Sequence, residues 1–318
     1  QDLFALSVNS PFLDSFDREQ MWSKLELPYR PEVLINLGAN SLLAVANQET
    51  VGEALASYKF MVSIDVFQTE TSTFADIVLP DCSYLQSIDA RPNFPFIFSL
   101  PGGLGEWCWP VRQKVLPPDS EQRPFAQILV DLADRVGFRP ELNAAFNRSL
   151  NLDGPFRLES ERKYSYADIC DAELKSTFGA ERGMEWFAKN GVIKWPKKPE
   201  EVYWRHFVDV RVPIYWEFLT TLGERTAAIA EPRGLPIPRE YYQPLPDFLP
   251  CLSHQCRTPG FDFYAFYYRD PLHTNSYTLE NPWLDEAAQL DPHSYSVTIN
   301  AAAAAKKGFT DGQMVWIE

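Results

Sequence analysis

Two short apolar runs separated by a helix-spaced stretch constrain this chain more than any other feature. The first, Val33-Leu34-Ile35-Asn36-Leu37, is closed by Gly38; the second is Phe60-Met61-Val62-Ser63-Ile64-Asp65. Strands of a parallel sheet read this way because both of their faces are buried. Between the runs, Gln48 to Tyr58 places Val51, Leu55 and Ala56 at helical spacing. Strand, helix and strand joined by short connections form a βαβ unit, whose crossover is right-handed. A third apolar run, Phe74 to Leu79, is ended by Pro80. The fold class that follows is α/β, with a parallel-sheet domain at its start.

The rest of the chain reads less regularly. Arg91 to Pro118 is dense in Pro, Gly and aromatic residues and is expected to be an irregular excursion. Phe125 to Val136 has amphipathic helical spacing, stopped by Gly137. Pro140 to Phe178 is expected to mix loops with short helices, and Gly183 to Val192 to form another helix. Asp168, Asp171 and Glu173 read as a solvated helix face. Pro196 to Pro259 carries Pro232, Pro236, Pro238, Pro244, Pro246 and Pro250. Such a run suits neither a helix interior nor a central strand, so an irregular linker is expected. Phe261 to Tyr268, Ser296 to Asn300 and Met314 to Ile317 read as strands, with short helices at Pro282 to Leu290 and Ala301 to Lys307. Strand, short helix, Gly-containing turn and strand suggest the start of a β-barrel-like domain. The expected division is 1–150, 151–259 and 260–318.

Composition narrows the function classes. A formal net charge of -14 argues against a nucleic-acid partner, which would need a basic face for phosphates. It also disfavours docking on an anionic lipid surface. The five Cys are scattered and odd in number, so no disulfide framework is implied. No apolar run approaches the ~20 residues of a membrane-spanning helix. The chain opens on Gln1 and stops at Glu318 within a strand-like pattern, so a piece of a longer protein is expected.

The strand ending at Asp65 is the first place where chemistry is expected. Ligands of open α/β sheets bind in the crevice at the carboxyl ends of the strands. A carboxylate there suits ribose hydroxyls or the two donor nitrogens of a guanine. Thr69, Glu70 and Thr71 follow in the loop, and Asn40 follows the preceding strand. An N-capping Asp with turn threonines would give the same pattern, and the residues alone leave both readings open. No Walker or Rossmann glycine-rich loop and no Gly-x-Ser-x-Gly elbow occurs.

Phe60 to Pro80, FMVSIDVFQTETSTFADIVLP, closely resembles a signature of the molybdopterin oxidoreductases of the dimethyl-sulfoxide-reductase type. The family pattern has an Asp after the strand, then Phe, Thr-Glu-Thr, and Ala-Asp before a Val-Leu-Pro. Leu34 to Asn40, LINLGAN, resembles the family's strand ending in Gly-x-Asn. Tyr267 to Leu284, YYRDPLHTNSYTLENPWL, resembles the entry into the family's C-terminal domain. Val297 to Val315 is similar to the strand, small helix and turn that follow, with Ala301 where a Pro is usual. Two departures stand out. The family's Leu-Glu-Lys-x-Gly run is here Leu85-Gln86-Ser87-Ile88-Asp89, without its positive charge. An Asp common just before the helix near Phe125 is also absent.

The resemblance implies part of a catalytic subunit built around molybdenum or tungsten held between two pterin–guanine dinucleotides, bis(molybdopterin guanine dinucleotide). Asn40, Ile64, Asp65, Phe67 and Thr69 match positions that contact one dinucleotide. His273, Thr274, Asn275, Ser276 and Thr278 match a loop against the pterin and its phosphates, though a satisfied loop histidine is the plainer reading of His273 alone. No catalytic residue and no metal ligand is expected in this chain. The iron–sulfur cluster and the metal-ligating residue lie earlier in family members. Regions 1–150 and 260–318 would be the second half of the dinucleotide-cofactor domain and the start of the C-terminal pterin-binding domain. The implied reaction is two-electron oxygen-atom or sulfur transfer, most like members acting on sulfur or arsenic oxyanions. The implied partners are the remainder of the same large subunit, a membrane anchor subunit, and an iron–sulfur electron-transfer subunit. The implied location is periplasmic or otherwise extracytoplasmic at a membrane, rather than cytoplasmic. A cofactor-less electron-transfer or scaffold subunit of the same fold is the alternative.

Overall fold

The structure is a computed structural model that describes residues 21–24, 26, 30–45, 47–91, 106–119, 121–196, 198, 215–245, 247–250, 254, 259–268, 270–274 and 278–317. The chain forms two compact units: Gln1–Ala39 with Glu49–Asp247, and Asn40–Gln48 with Phe248–Glu318. Residues 151–247 therefore share a unit with the parallel sheet.

The first unit opens with β1 (Val33–Leu37), α1 (Gln48–Ala56), β2 (Phe60–Asp65) and β3 (Ile77–Pro80). The three strands form a parallel sheet in the order β1-β2-β3, but only the central strand is largely buried: Val33, Ile35 and Leu37 of β1 and Ile77 and Val78 of β3 are exposed, against the two-faced burial expected from the apolar runs. Leu37 lies opposite Ile64, and Asp65 opposite Pro80, so all three strands end at one edge. Helix α1 buries Val51, Ala54 and Leu55, the i, i+3, i+4 stripe of an amphipathic helix. The third strand is shorter than the apolar run suggests. Thr71–Phe74 forms a 3-10 turn instead. Asp76 is pinned before β3, its N–H donating to the Met61 carbonyl at 2.9 Å and its carboxylate accepting the Met61 N–H at 2.7 Å.

Beyond the sheet come β4 (Glu106–Pro110), α2 (Phe125–Arg135), α3 (Arg139–Ser149), α4 (Tyr166–Phe178), α5 (Met184–Asn190), β5 (Val192–Pro196) and α6 (Phe218–Ala230). Within the expected irregular excursion between Arg91 and Pro118, Glu106–Pro110 forms the strand β4, which pairs antiparallel with β5, Glu106 opposite Pro196 and Trp107 opposite Trp195. A Pro ends each strand, where no ladder N–H is missed. Helix α4 is longer than the short helices expected there. Its capping box explains the start: the Ser165 hydroxyl accepts the Asp168 N–H at 3.2 Å and Asp168 accepts the Ser165 N–H at 2.8 Å. Of the expected solvated acidic face, Asp168 is a cap, Asp171 accepts the Met184 N–H at 2.9 Å, and Glu173 is buried against Arg91.

Two apolar clusters hold this region together. Ala90, Val111, Cys170, Leu174 and Phe187 form one. Val130, Leu152, Leu158 and Ile169 form the other. Burial pushes the Cys170 thiol up to about 12, and it raises the Tyr166 phenol as well.

The expected linker of 196–259 contains the helix α6, which buries Leu219, Gly223, Ala227 and Ala230 at helical spacing. Proline density begins only at Pro232, just past its end, and conceals that spacing in a whole-region reading. Gly223 is required for packing: a Cβ there would lie 2.7 Å from the Tyr242 Cβ and 2.8 Å from its Cγ. Gly to Ala inside a helix ordinarily gains up to about 1 kcal/mol. Here overpacking costs about 1–3 kcal/mol. Gly223→Ala is therefore expected to lower the urea midpoint with an unchanged slope; a raised midpoint would show that Tyr242 has room to withdraw.

The second unit contains α7 (Pro282–Ala288) and α8 (Ala301–Lys307). Asn281 caps α7 by accepting the Trp283 and Leu284 N–H groups at 3.1 and 3.3 Å. Asn300 caps α8 by accepting from Ala302 and Ala303. The strands expected at Phe261 to Tyr268, Ser296 to Asn300 and Met314 to Ile317 do not form among the described residues. A strand needs a second strand to complete its ladder, and apolar alternation by itself does not supply one. No helix among the described residues is long and apolar enough to cross a membrane.

Candidate cofactor site

The carboxyl edge of the sheet presents a small set of polar groups. Gly38 turns the chain out of β1 with φ 55°, its N–H donating to the Ile64 carbonyl at 3.0 Å. Asp65 ends β2 half-buried, and its Oδ1 accepts the Val66 and Phe67 N–H groups at 2.7 and 3.3 Å. The second carboxylate oxygen takes neither of these bonds. The Phe67 ring is exposed beside it in sequence. Thr69 and Ser72 bracket the next turn: the Thr69 N–H donates to the Ser72 hydroxyl at 2.9 Å, which donates to the Thr69 carbonyl at 2.6 Å. Ile64 faces the core and is buried.

Two residues at this edge escaped the sequence reading. Asn36 on β1 is buried and donates to the Ser63 hydroxyl at 3.3 Å and the Ala39 carbonyl at 2.9 Å. It is the polar side chain that links β1 to β2; Asn40 packs with the second unit. Asp81 follows β3, and its carboxylate accepts the Phe125 N–H at 2.8 Å and the Cys82 N–H at 2.7 Å. It supplies from a distance the N-terminal cap that the sequence lacks just before α2. Burial, aided by the neighbouring Asp65 charge, holds the Asp81 carboxyl above the usual carboxylate range. Its signal was an Asp directly after the Val-Leu-Pro.

Where the family carries a Lys, Ser87 is buried and uncharged, donating to the Ser83 carbonyl at 3.2 Å. Gln86 beside it accepts the Ser83 N–H at 3.0 Å and donates to Gln122 at 2.7 Å. The neighbourhood is closed by neutral hydrogen bonds.

In the second unit, Asn40 is buried and its carbonyl accepts the Ala44 N–H at 2.9 Å. His273 is 7% exposed. Its Nδ1 lies 3.3 Å from the Thr278 hydroxyl, and its Nε2 lies 3.1 Å from the Tyr295 hydroxyl. Tyr295 donates to Asp285 Oδ1 at 2.7 Å, a bond that raises the Tyr295 phenol above its ordinary value. The Thr274 N–H donates to the Thr278 hydroxyl at 2.8 Å, and the Thr274 side chain is exposed. Asp270 closes the loop base, accepting the Ser294 hydroxyl at 2.6 Å and the Leu272 N–H at 2.7 Å; the Ser294 bond leads in holding its carboxyl below the usual range. Asn275 and Ser276 lie outside the described residues. No group of three or more His, Cys, Asp or Glu fit to hold a metal ion occurs among the described residues.

A family model for molybdopterin oxidoreductases matches residues 13–135. Over 296 residues the chain is 26% identical to a sulfite dehydrogenase polypeptide from Allochromatium vinosum, covering 81% of this chain and 29% of that protein. Over 303 residues it is 24% identical to the molybdopterin-containing thiosulfate reductase subunit PhsA from Salmonella typhimurium, covering 92% of this chain and 35% of that protein. Among solved structures it is similar to the acetylene hydratase from Pelobacter acetylenicus, with a TM-score of 0.46 and 17% identity, covering 95% of this chain and 34% of that one. The chain thus spans about a third of the length of the curated relatives it matches.

Proposed function

We propose, from its similarity to molybdopterin oxidoreductases over residues 13–135 and to the sulfite dehydrogenase and thiosulfate reductase polypeptides, that this chain is part of a catalytic subunit. In this reading it holds a molybdenum or tungsten bis(molybdopterin guanine dinucleotide) cofactor. The reaction is two-electron oxygen-atom or sulfur transfer on a sulfur oxyanion.

The observation that carries the reading is Asp65. It sits where three parallel strands end in register, with one carboxylate oxygen held by two backbone N–H groups. Those bonds orient the side chain before any ligand arrives. The ring N1–H and the exocyclic amino group of a guanine offer two adjacent N–H donors, and a carboxylate is their natural acceptor. The exposed Phe67 ring gives a base a flat neighbour, and Thr69 adds a hydroxyl. Ile64 contributes the buried strand end on which Asp65 stands. Asn40, His273, Thr274, Asn275, Ser276 and Thr278 are assigned to cofactor binding by the resemblance, and the Thr274 side chain is exposed. Short hydroxyls and amides suit phosphate oxygens without a net basic patch. When bound, the metal and pterin supply the redox chemistry; this chain binds, orients and insulates them. The remaining parts of the assembly are the rest of the large subunit with its iron–sulfur cluster, a membrane anchor and an iron–sulfur electron-transfer subunit, on the extracytoplasmic side.

A cofactor-less scaffold of the same fold is the second reading, and the neutral, hydrogen-bonded Gln86 and Ser87 favour it. Metal and guanine-nucleotide analysis of the full-length protein, expressed with cofactor supply, separates the two. About one molybdenum or tungsten and two guanine nucleotides per chain are expected. A metal content near zero would sink the catalytic reading. Asp65→Ala removes a hydrogen bond from a charged acceptor, worth about 1.5–3 kcal/mol. The variant should therefore lose its nucleotide about 10- to 100-fold faster on dilution; an unchanged rate would remove Asp65 from the site.

A further inference from the structure

The hydrogen bonds around His273 fix a direction of proton donation. Asp285 Oδ1 accepts from the Tyr295 hydroxyl, which uses the only proton that hydroxyl has. The Tyr295 oxygen can then only accept from His273, so the imidazole proton sits on Nε2. Nδ1 is left as an acceptor and takes the Thr278 hydroxyl proton. The Thr278 oxygen still accepts the Thr274 N–H. Every donor is used once, and the sequence Thr274, Thr278, His273, Tyr295, Asp285 closes without an unmet group. The Asp270 carboxylate also interacts electrostatically with His273.

Three further features lock this arrangement. His273 is buried, so its ring has little water to turn toward. Tyr295 is held at φ 56°, a left-handed conformation that aromatic residues rarely adopt. Asp285 lies in the first turn of α7, whose start is fixed by the Asn281 cap.

We infer that Tyr295 and Asp285 are positioning residues, which hold His273 in its Nε2–H tautomer and thereby hold the Thr278 hydroxyl where it accepts the Thr274 N–H. This rests on the proposed function for the identity of the ligand, but not for the network itself. His273 then acts through Thr278 on Thr274, whose side chain is exposed.

The test has two arms. The first reads the ring nitrogens of His273 by ¹⁵N NMR in the histidine-labelled 318-residue chain, with His273→Gln used for assignment. A single Nε2–H tautomer is expected. Tyr295→Phe and Asp285→Leu should shift it toward a mixture, while Asp285→Asn, which keeps an oxygen acceptor, should restore the parent spectrum. An unchanged His273 spectrum in Tyr295→Phe overturns the proposal, whatever the cofactor does. The second arm measures cofactor release from the full-length protein, where Tyr295→Phe is expected to accelerate release several-fold. A shifted tautomer with a parent-like release rate overturns the positioning role and leaves the proposed function standing. A parent protein without metal overturns the proposed function, and the first arm still decides the network.

Discussion

Phe187→Ala is expected to lower the unfolding free energy by about 3–5 kcal/mol, a large share of the 5–15 kcal/mol that a domain of this kind holds. Phe187 is 0% exposed and packs with Ala90, Val111, Cys170 and Leu174. Its ring meets Trp186 edge-on at 4.9 Å and Phe178 at 5.8 Å. Those neighbours come from α4, α5 and the segments flanking β4, and they cannot all collapse into the space the ring leaves. Removing the ring therefore costs both the transfer of its surface and the cavity left behind. Phe187→Leu keeps most of the volume and should cost about 1.5 kcal/mol or less. Urea denaturation of both variants checks this. A loss below about 1 kcal/mol for the Ala variant would mean that the cluster is not closely packed.

Arg91→Met should show a stability loss that depends on pH. Glu173 is 5% exposed and pairs with Arg91, itself 39% exposed. Burial raises the Glu173 carboxyl above its ordinary value, and the Arg91 guanidinium opposes that rise. Breaking a buried pair from one side costs about 3–5 kcal/mol. Solvent around the half-exposed arginine screens part of this, so about 2–3 kcal/mol is expected near neutral pH. The sign with pH follows from the direction of the shift. A carboxyl whose folded pKa lies above its unfolded pKa contributes fully below the unfolded value and loses that contribution as pH rises through the folded one. Without Arg91 the folded value climbs further. The defect should therefore be small near pH 4 and grow on going to neutrality. Replacing both partners, Arg91→Met with Glu173→Leu, should recover most of the loss and flatten the pH dependence. A defect of the same size at all pH values would show that Arg91 acts through its packing and not its charge.

The positions read well from sequence share one property: their signal is local. The β1–α1–β2 unit is visible because the apolar runs and the helical stripe lie within one short window, although Val33, Ile35 and Leu37 of β1 are exposed and only β2 and α1 carry the expected burial. Asp65 was legible for the same reason, since it ends a strand whose neighbours are the next elements in the chain. Helix α2 was legible from its periodicity, although the residue that caps it, Asp81, lies 44 positions away. Asn36 was missed because a polar residue inside an apolar run gives no sign of which neighbour it will meet.

The rest was decided in three dimensions. β4 and β5 are short, Pro-ended and far apart in the chain; neither carries a strand pattern strong enough to announce a partner. Glu173 sits on a helix with Asp168 and Asp171, and only the approach of Arg91 turns it from a surface acid into a buried ion pair. The aromatic run Phe261 to Tyr268 has the alternation of a strand and forms none among the described residues, because pairing needs a second strand that alternation cannot supply. The resemblance assigned His273 to a cofactor loop, but its contacts with Thr278 and Tyr295 were not legible in the sequence. Sequence by itself determined the α/β class, the strand ends and the carboxylate at their edge, since periodicity and chain order are local properties. Only the tertiary structure decided which buried polar group meets which, since those pairings are chosen by the free energy of contacts between residues distant in the chain.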